Sequence, residues 1–117
     1  MSLCIANDLD PPILTGETRT IGFDFGPILN SGVAIQSNPQ PSISCAVHYG
    51  ADAAASSRLI GNPSIVASKA TGAASAAIAQ NIGTMLDGVT YVLTCYVNTS
   101  DGQVLGIETH IACEAPA

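Results

Sequence analysis

From Leu86 to Cys113 the chain reads as a turn, a strand, a tight hairpin and a closing strand, with little room for another interpretation. Asp87-Gly88 supplies the turn, and Val89 to Asn98 follows with Tyr91, Leu93, Cys95 and Val97 at alternate positions. A period of two places those four side chains on one buried face of a strand. Thr99-Ser100-Asp101-Gly102 then supplies hairpin residues, with Gly102 free to take a positive φ. In the last strand Leu105, Ile107, Thr109, Ile111 and Cys113 again share one face.

Two further segments alternate as cleanly. Thr18 to Phe25 puts Arg19, Ile21, Phe23 and Phe25 on one side. Phe23 and Phe25 are both of the chain's phenylalanines, so this strand is a main contributor to the core. Ser42 to Tyr49 directs Ile43, Cys45, Val47 and Tyr49 inward and Ser44, Ala46 and His48 outward. Gly26-Pro27, Asn30-Ser31-Gly32 and Asn38-Pro39-Gln40-Pro41 punctuate the stretch between them, around a short segment from Val33 to Gln36.

The middle of the chain is less regular. Gly50 to Ser57 is small and polar and reads as a flexible connection. Arg58-Leu59-Ile60 and Pro63 to Ala67 read as two short strands broken at Gly61-Asn62. Six alanines between residues 70 and 80 favour helix by propensity, but Gly72, Ser75 and the lack of an apolar stripe oppose it. Ala74 to Gln80 is therefore assigned as a strand, and Asn81 to Gly88 as a crossing between sheets.

These elements make one all-β domain, an immunoglobulin-like β-sandwich of about seven antiparallel strands, over residues 11–115. Residues 1–10, broken by Asp8, Asp10, Pro11 and Pro12 around their end, form an extended N-terminal arm. In such sandwiches a tyrosine at the start of the penultimate strand bonds its hydroxyl to backbone a few residues upstream. Asp87-Gly88-Val89-Thr90-Tyr91 has that spacing, so Tyr91, with Gly102, Phe23 and Phe25, is assigned a structural role.

Composition narrows the partners. With 117 residues the chain holds one domain, and only 10% of it is charged, three basic residues against nine acidic ones. Soluble monomers normally interleave many charges on their surface, so a chain this neutral is a candidate for life in an assembly. Arg19, Arg58 and Lys69 stand alone and offer no patch for phosphates, which argues against nucleic acid and against an anionic membrane. No run of about 20 apolar residues is present, and the first residues lack a basic region followed by an apolar one, so neither export nor membrane insertion is expected.

Reactive chemistry finds little support. Cys4, Cys45, Cys95 and Cys113 lack zinc-type spacing and are read as buried free thiols, although Cys45 and Cys95 both point inward and an oxidised pair stays open. His48 and His110 fall on outward positions, with Glu108 on the same face as His110, and are read as solvated strand residues. No Gly-x-Ser-x-Gly elbow occurs, and Asp8, Asp10 and Asp101 supply too few oxygens for calcium. Asn98-Thr99-Ser100 matches a glycosylation acceptor by coincidence, inside a hairpin. No catalytic, cofactor-binding or metal-binding residue is assigned.

The pattern Asp10-Pro11, Ile21-Gly22-Phe23-Asp24-Phe25, Leu29, Gly32, Ile43-Ser44, Ser64-Ile65-Val66, Asp87-Gly88, Tyr91 and Thr99-Ser100-Asp101-Gly102-Gln103 resembles short immunoglobulin-like virion structural proteins of tailed bacteriophages. The resemblance spans roughly residues 10–113. The chain departs from the pattern in having Phe25 where a tryptophan is usual and in its alanine-rich stretch. The resemblance implies a non-enzymatic capsid decoration or cement protein, a head-fibre protein or a head-tail neck component. It further implies the virion as location after synthesis in the bacterial cytoplasm, contact with the major capsid protein or with neck and portal proteins, and self-association.

Leu3, Ile5 and Leu9 in the arm, and Gln36, Asn38 and Pro39 in the loop that ends at Pro41, are the contact residues expected from exposure. The alternative is a receptor- or carbohydrate-binding module of a phage fibre, for which Tyr49 and Tyr96 are the aromatic side chains able to reach solvent.

Overall fold

A computed structural model describes residues 12–115 of the chain. Its regular elements are strands and two short 3-10 turns. In chain order the strands are β1 (Ile13–Leu14), β2 (Thr18–Asp24), β3 (Ser42–Tyr49), β4 (Leu59–Val66), β5 (Ala77–Gly83), β6 (Thr90–Asn98) and β7 (Val104–Glu114). They form a four-stranded sheet in the order β1-β7-β6-β3 and a three-stranded sheet in the order β2-β5-β4. All neighbours are antiparallel except β1, which runs parallel to β7 with Ile13 opposite Cys113.

Alternation explains the core. Ile21, Phe23 and Phe25 from β2 and its end, with Ile78 and Ile82 from β5, make one inner face. Tyr91, Leu93, Cys95 and Val97 from β6, with Ile107 and Ile111 from β7, make the other. The two rows close one hydrophobic cluster between the sheets. Each fully buried large apolar side chain contributes roughly 1.5–3 kcal/mol, which makes β2 and β6 the principal donors of stability.

The expected strands at 18–25, 42–49, 89–98 and the final segment stand within a residue or two of the observed ones. Three details differ. The break expected at Gly61-Asn62 is a bulge inside the single strand β4, where pairing with β5 shifts between Ile60 and Ser64. The buried Gln80 side chain sustains it, its Nε2 donating to the carbonyls of Ile60 and Gly61 at 3.1 and 3.2 Å. A bulge of this kind leaves carbonyls without ladder partners, and an amide side chain replaces them.

The strand expected at 74–80 lies three residues later, because Ser75 takes a φ of 52° and cannot extend. Asn81 to Gly83 therefore belong to β5, and the crossing begins at Thr84. In the short segment Val33 to Gln36, Ile35 makes an isolated bridge to Thr99. Tyr49, placed inward by parity, is 73% exposed, because a register shift between Val47 and Tyr49 turns it off the inner row.

The hairpin closes as its residues require. Gly102 has a φ of 84° and donates its N–H to the Thr99 carbonyl at 3.0 Å. Thr109 is buried as expected, yet its Oγ1 is the one buried side-chain polar atom among the described residues with no hydrogen-bond partner. An unmet hydroxyl in a dry interior costs free energy that an apolar group of similar shape avoids. Thr109→Val is accordingly expected to raise stability by about 1 kcal/mol, read as an upward shift of the urea midpoint with unchanged slope.

Candidate functional site

The strand order decides which outward residues meet. Ala46 on β3 is opposite Val92 on β6, which is opposite His110 on β7. Ser44, Thr94 and Glu108 form the next row. His48 and His110 stand on the two strands flanking β6, and their rings stack with centroids 4.3 Å apart and planes 20° apart. His110 Nε2 lies 3.1 Å from Glu108 Oε2. Both histidines face outward as expected, but their meeting across β6 was not anticipated. Parity gave the shared face, and the order of the strands was the missing information.

Around this cluster the outer face is flat and lightly charged. Tyr96 is 53% exposed and lies against Gly106, where a Cβ would sit 2.7 Å from its ring. Among the outward residues of β3, β6 and β7, Glu108 and Glu114 carry the fixed charges. No group of three His, Cys, Asp or Glu side chains among the described residues is arranged to hold a metal ion.

The expected contact residues Gln36, Asn38 and Pro39 are all exposed, in the loop that enters β3. This loop is anchored at its start: Gln36 N–H donates to the Asn98 carbonyl at 2.8 Å, and Ser100 N–H to the Ala34 carbonyl at 2.8 Å. It therefore sits beside the β6–β7 hairpin at one end of the sandwich. Leu3, Ile5 and Leu9 lie outside the described residues. On the outer face of the other sheet an open groove of about 630 Å³ runs past Thr20, Gly22, Val66, Ala77 and Ala79. Asp24 at its rim is committed to local structure, accepting from Gly26 N–H, Ser68 Oγ and Ala70 N–H.

The most densely hydrogen-bonded carboxylate among the described residues is one the sequence did not single out. Asp52 sits in the small polar segment after β3, and Arg58 ends the 3-10 turn Ala55–Arg58 that follows. Arg58 Nε and Nη2 donate to the two oxygens of Asp52 at 2.8 and 3.0 Å, a bidentate pair. The same carboxylate accepts from Ala54 N–H at 2.9 Å and from the Tyr91 hydroxyl at 2.7 Å. Tyr91 Oη in turn accepts from Leu86 N–H at 2.9 Å. The Asp52 side chain retains 2% of its exposure, so the segment expected to be flexible is pinned by its one carboxylate.

Hydrogen bonds from Arg58 and then from Tyr91 hold the Asp52 carboxyl well below the usual carboxylate range. Burial pushes the Cys45 thiol up to about 11 and the Cys95 thiol up to about 12. Cys45, Cys95 and Cys113 are free and buried, as read from the sequence, so these sulfurs stay protonated and unreactive near neutral pH. Cys4 lies outside the described residues. Cys45 and Cys95 occupy neighbouring strands of one sheet, where Cys45 is opposite Leu93 and Cys95 opposite Ile43.

Comparison with protein-family models, with curated proteins and with solved structures returns no match.

Two measurements test the buried network. Tyr91→Phe removes the acceptor of Leu86 N–H and the donor to Asp52, and is expected to cost about 1–3 kcal/mol in urea denaturation. The second is acid dependence. A carboxyl lowered by folding contributes stability above its unfolded value and loses it as pH falls through the folded one, so unfolding should become easier from about pH 5 downward. Asp52→Asn is expected to be less stable at neutral pH and to show a shallower fall on acidification.

Proposed function

We propose that this chain is a non-enzymatic structural protein of a tailed-phage particle, an immunoglobulin-like module that assembles on other virion proteins as a capsid decoration, cement or neck component. The observation that carries the reading is the neutrality of the broad sheet face formed by β3, β6 and β7. Its outward positions are mostly Ser, Thr, Ala, Val and Gly. A face of that kind opposes association less than the charged surface of a free monomer and packs readily against another flat surface.

The immunoglobulin-like part of the proposal is supported by strand order. The β2-β5-β4 sheet and the β7-β6-β3 run correspond to the two sheets of that sandwich, with β1 added beside β7. The Leu86–Tyr91 hydrogen bond corresponds to its tyrosine corner. The resemblance in the Ile21 to Phe25, Tyr91 and Thr99 to Gln103 segments supplies the phage setting.

The carbohydrate-binding alternative draws on the exposure of Tyr49 and Tyr96. They do not form a joint platform: Tyr49 is opposite Thr90 at one end of β6, and Tyr96 is near the other end. At ~3.3 Å per residue the separation is about 20 Å. A glycan array without hits, together with saturable binding to capsids, supports the structural role over this one.

The decisive experiment is co-sedimentation with purified virions of the phage that encodes the chain, with its stoichiometry to the major capsid protein. A ratio near that of the capsid lattice indicates decoration, and a single ring of copies indicates the neck. Absence from the particle overturns the proposal. Deleting residues 1–10 is expected to leave cooperative unfolding in place and to abolish incorporation; normal incorporation of the truncated chain overturns the role of Leu3, Ile5 and Leu9.

A further inference from the structure

A sandwich of two open sheets has four outer strands, and three of them here are obstructed. β1 is two residues long and pairs only with Cys113 and Glu114 of β7, whose remaining edge carries Gly106 and Glu108. β4 carries Pro63, which has no N–H to offer, and the bulge between Ile60 and Ser64. β2 carries the charged Arg19 and Asp24 and, between them, Gly22. The fourth, β3, carries only a register shift at its very end, between Val47 and Tyr49, and is unbroken from Ser42 to Val47. It runs eight residues, Ser42–Tyr49, without Pro, Gly, Asp, Glu, Lys or Arg, and pairs through one edge with β6. Its other edge is the last in the four-stranded sheet. The 3-10 turn Ala55–Arg58 lies close to β3, but no backbone hydrogen bond joins them among the described residues.

The geometry points to β3 as the strand through which two copies of this chain join, edge to edge and antiparallel, into one continuous sheet. The inner row of β3 argues for a second copy as the occupant. Cys45 at its centre is buried, while Ile43 and Val47 on either side are half-buried, as expected of core residues at a sheet margin with no neighbour. Whatever pairs with this edge must bring apolar side chains at the same spacing. The strand itself, reversed about Cys45, does so.

In that register Ile43 meets the partner's Val47, Cys45 meets the partner's Cys45, and Ser44 on the outer face meets the partner's Ala46. β-branched cross-strand pairs of this kind are favourable, and small outer residues let the strands approach. The strand carries no fixed charge, so pairing with its own copy sets no like charges opposite one another. The result is an isologous two-fold contact in which the same patch serves both copies.

The inference concerns the isolated chain and does not depend on the particle reading. A dimer that never enters virions leaves it standing and removes only the proposed function.

Sedimentation of the purified full chain over a range up to high micromolar concentration tests it. The unaltered chain is expected to show a reversible monomer–dimer equilibrium. Ser44→Lys combined with Ala46→Lys places like charges directly opposite in the pair, and Ser44→Glu combined with Ala46→Glu does the same with the other sign. Both residues are exposed, so each variant is expected to unfold like the parent yet sediment as a monomer. Mixing the two variants is expected to restore dimers.

A parent chain that stays monomeric overturns the inference. So do charged variants that dimerise on their own, and a mixture that stays monomeric while the parent dimerises.

Discussion

The tie between Tyr91, Leu86 and Asp52 joins parts of the chain that no strand pairing connects. Tyr91 begins the inner row of β6, and its phenol passes through the core to a point where two other segments must be held. At that point the hydroxyl accepts from Leu86 N–H, setting the turn that brings the chain from β5 into β6. It donates to Asp52, which in turn holds Arg58 at the entrance to β4. One oxygen thus coordinates the connection into the four-stranded sheet and the departure from it toward the three-stranded one. The bidentate Arg58 pair lets a nearly inaccessible carboxylate exist at low cost, because each of its oxygens is met by donors.

The legible part of the fold was the part that obeys a period of two. In β2, β6 and β7 every residue assigned inward from alternation, apart from the half-buried Arg19 and Leu105, is buried. Alternation fails wherever the backbone inserts a residue, and bulges leave no compositional mark. At His48 the shift turns Tyr49 outward, and at Gly61-Asn62 the glycine suggested an end where the strand continues. Ser75 is a similar case: a positive φ at a serine has no sequence signal, and it displaces β5 along the chain.

The site was less legible than the fold, for a different reason. Asp52 lies among alanines and serines, in a segment without periodicity, and its partners are six and thirty-nine positions away. Pairing of this range is decided by where two sheets place their corners. The stacking of His48 on His110 follows the same logic. Each residue was assigned to the outer surface from parity, but only a strand order with β6 between β3 and β7 makes them neighbours. Sequence pattern reports the face of a strand, and topology reports the company it keeps.

The distribution of polar chemistry bears on what kind of work the domain can do. Asp52, Asp24 and Asp101 are each bonded to groups that shape their own loops, and the described thiols are buried. Side chains so committed are not available to a substrate without dismantling the local fold. The outer surfaces, by contrast, are built from small neutral residues whose removal would cost the fold little, and they form broad, nearly uncharged sheet faces. The proposed role rests on these faces and on the edge of β3, not on the carboxylates tied into the corners. Charged residues stand on the margins at β2 and β7 and Pro63 interrupts β4, while β3 runs uncharged and unbroken from Ser42 to Val47, so the pairing inferred for it is directional.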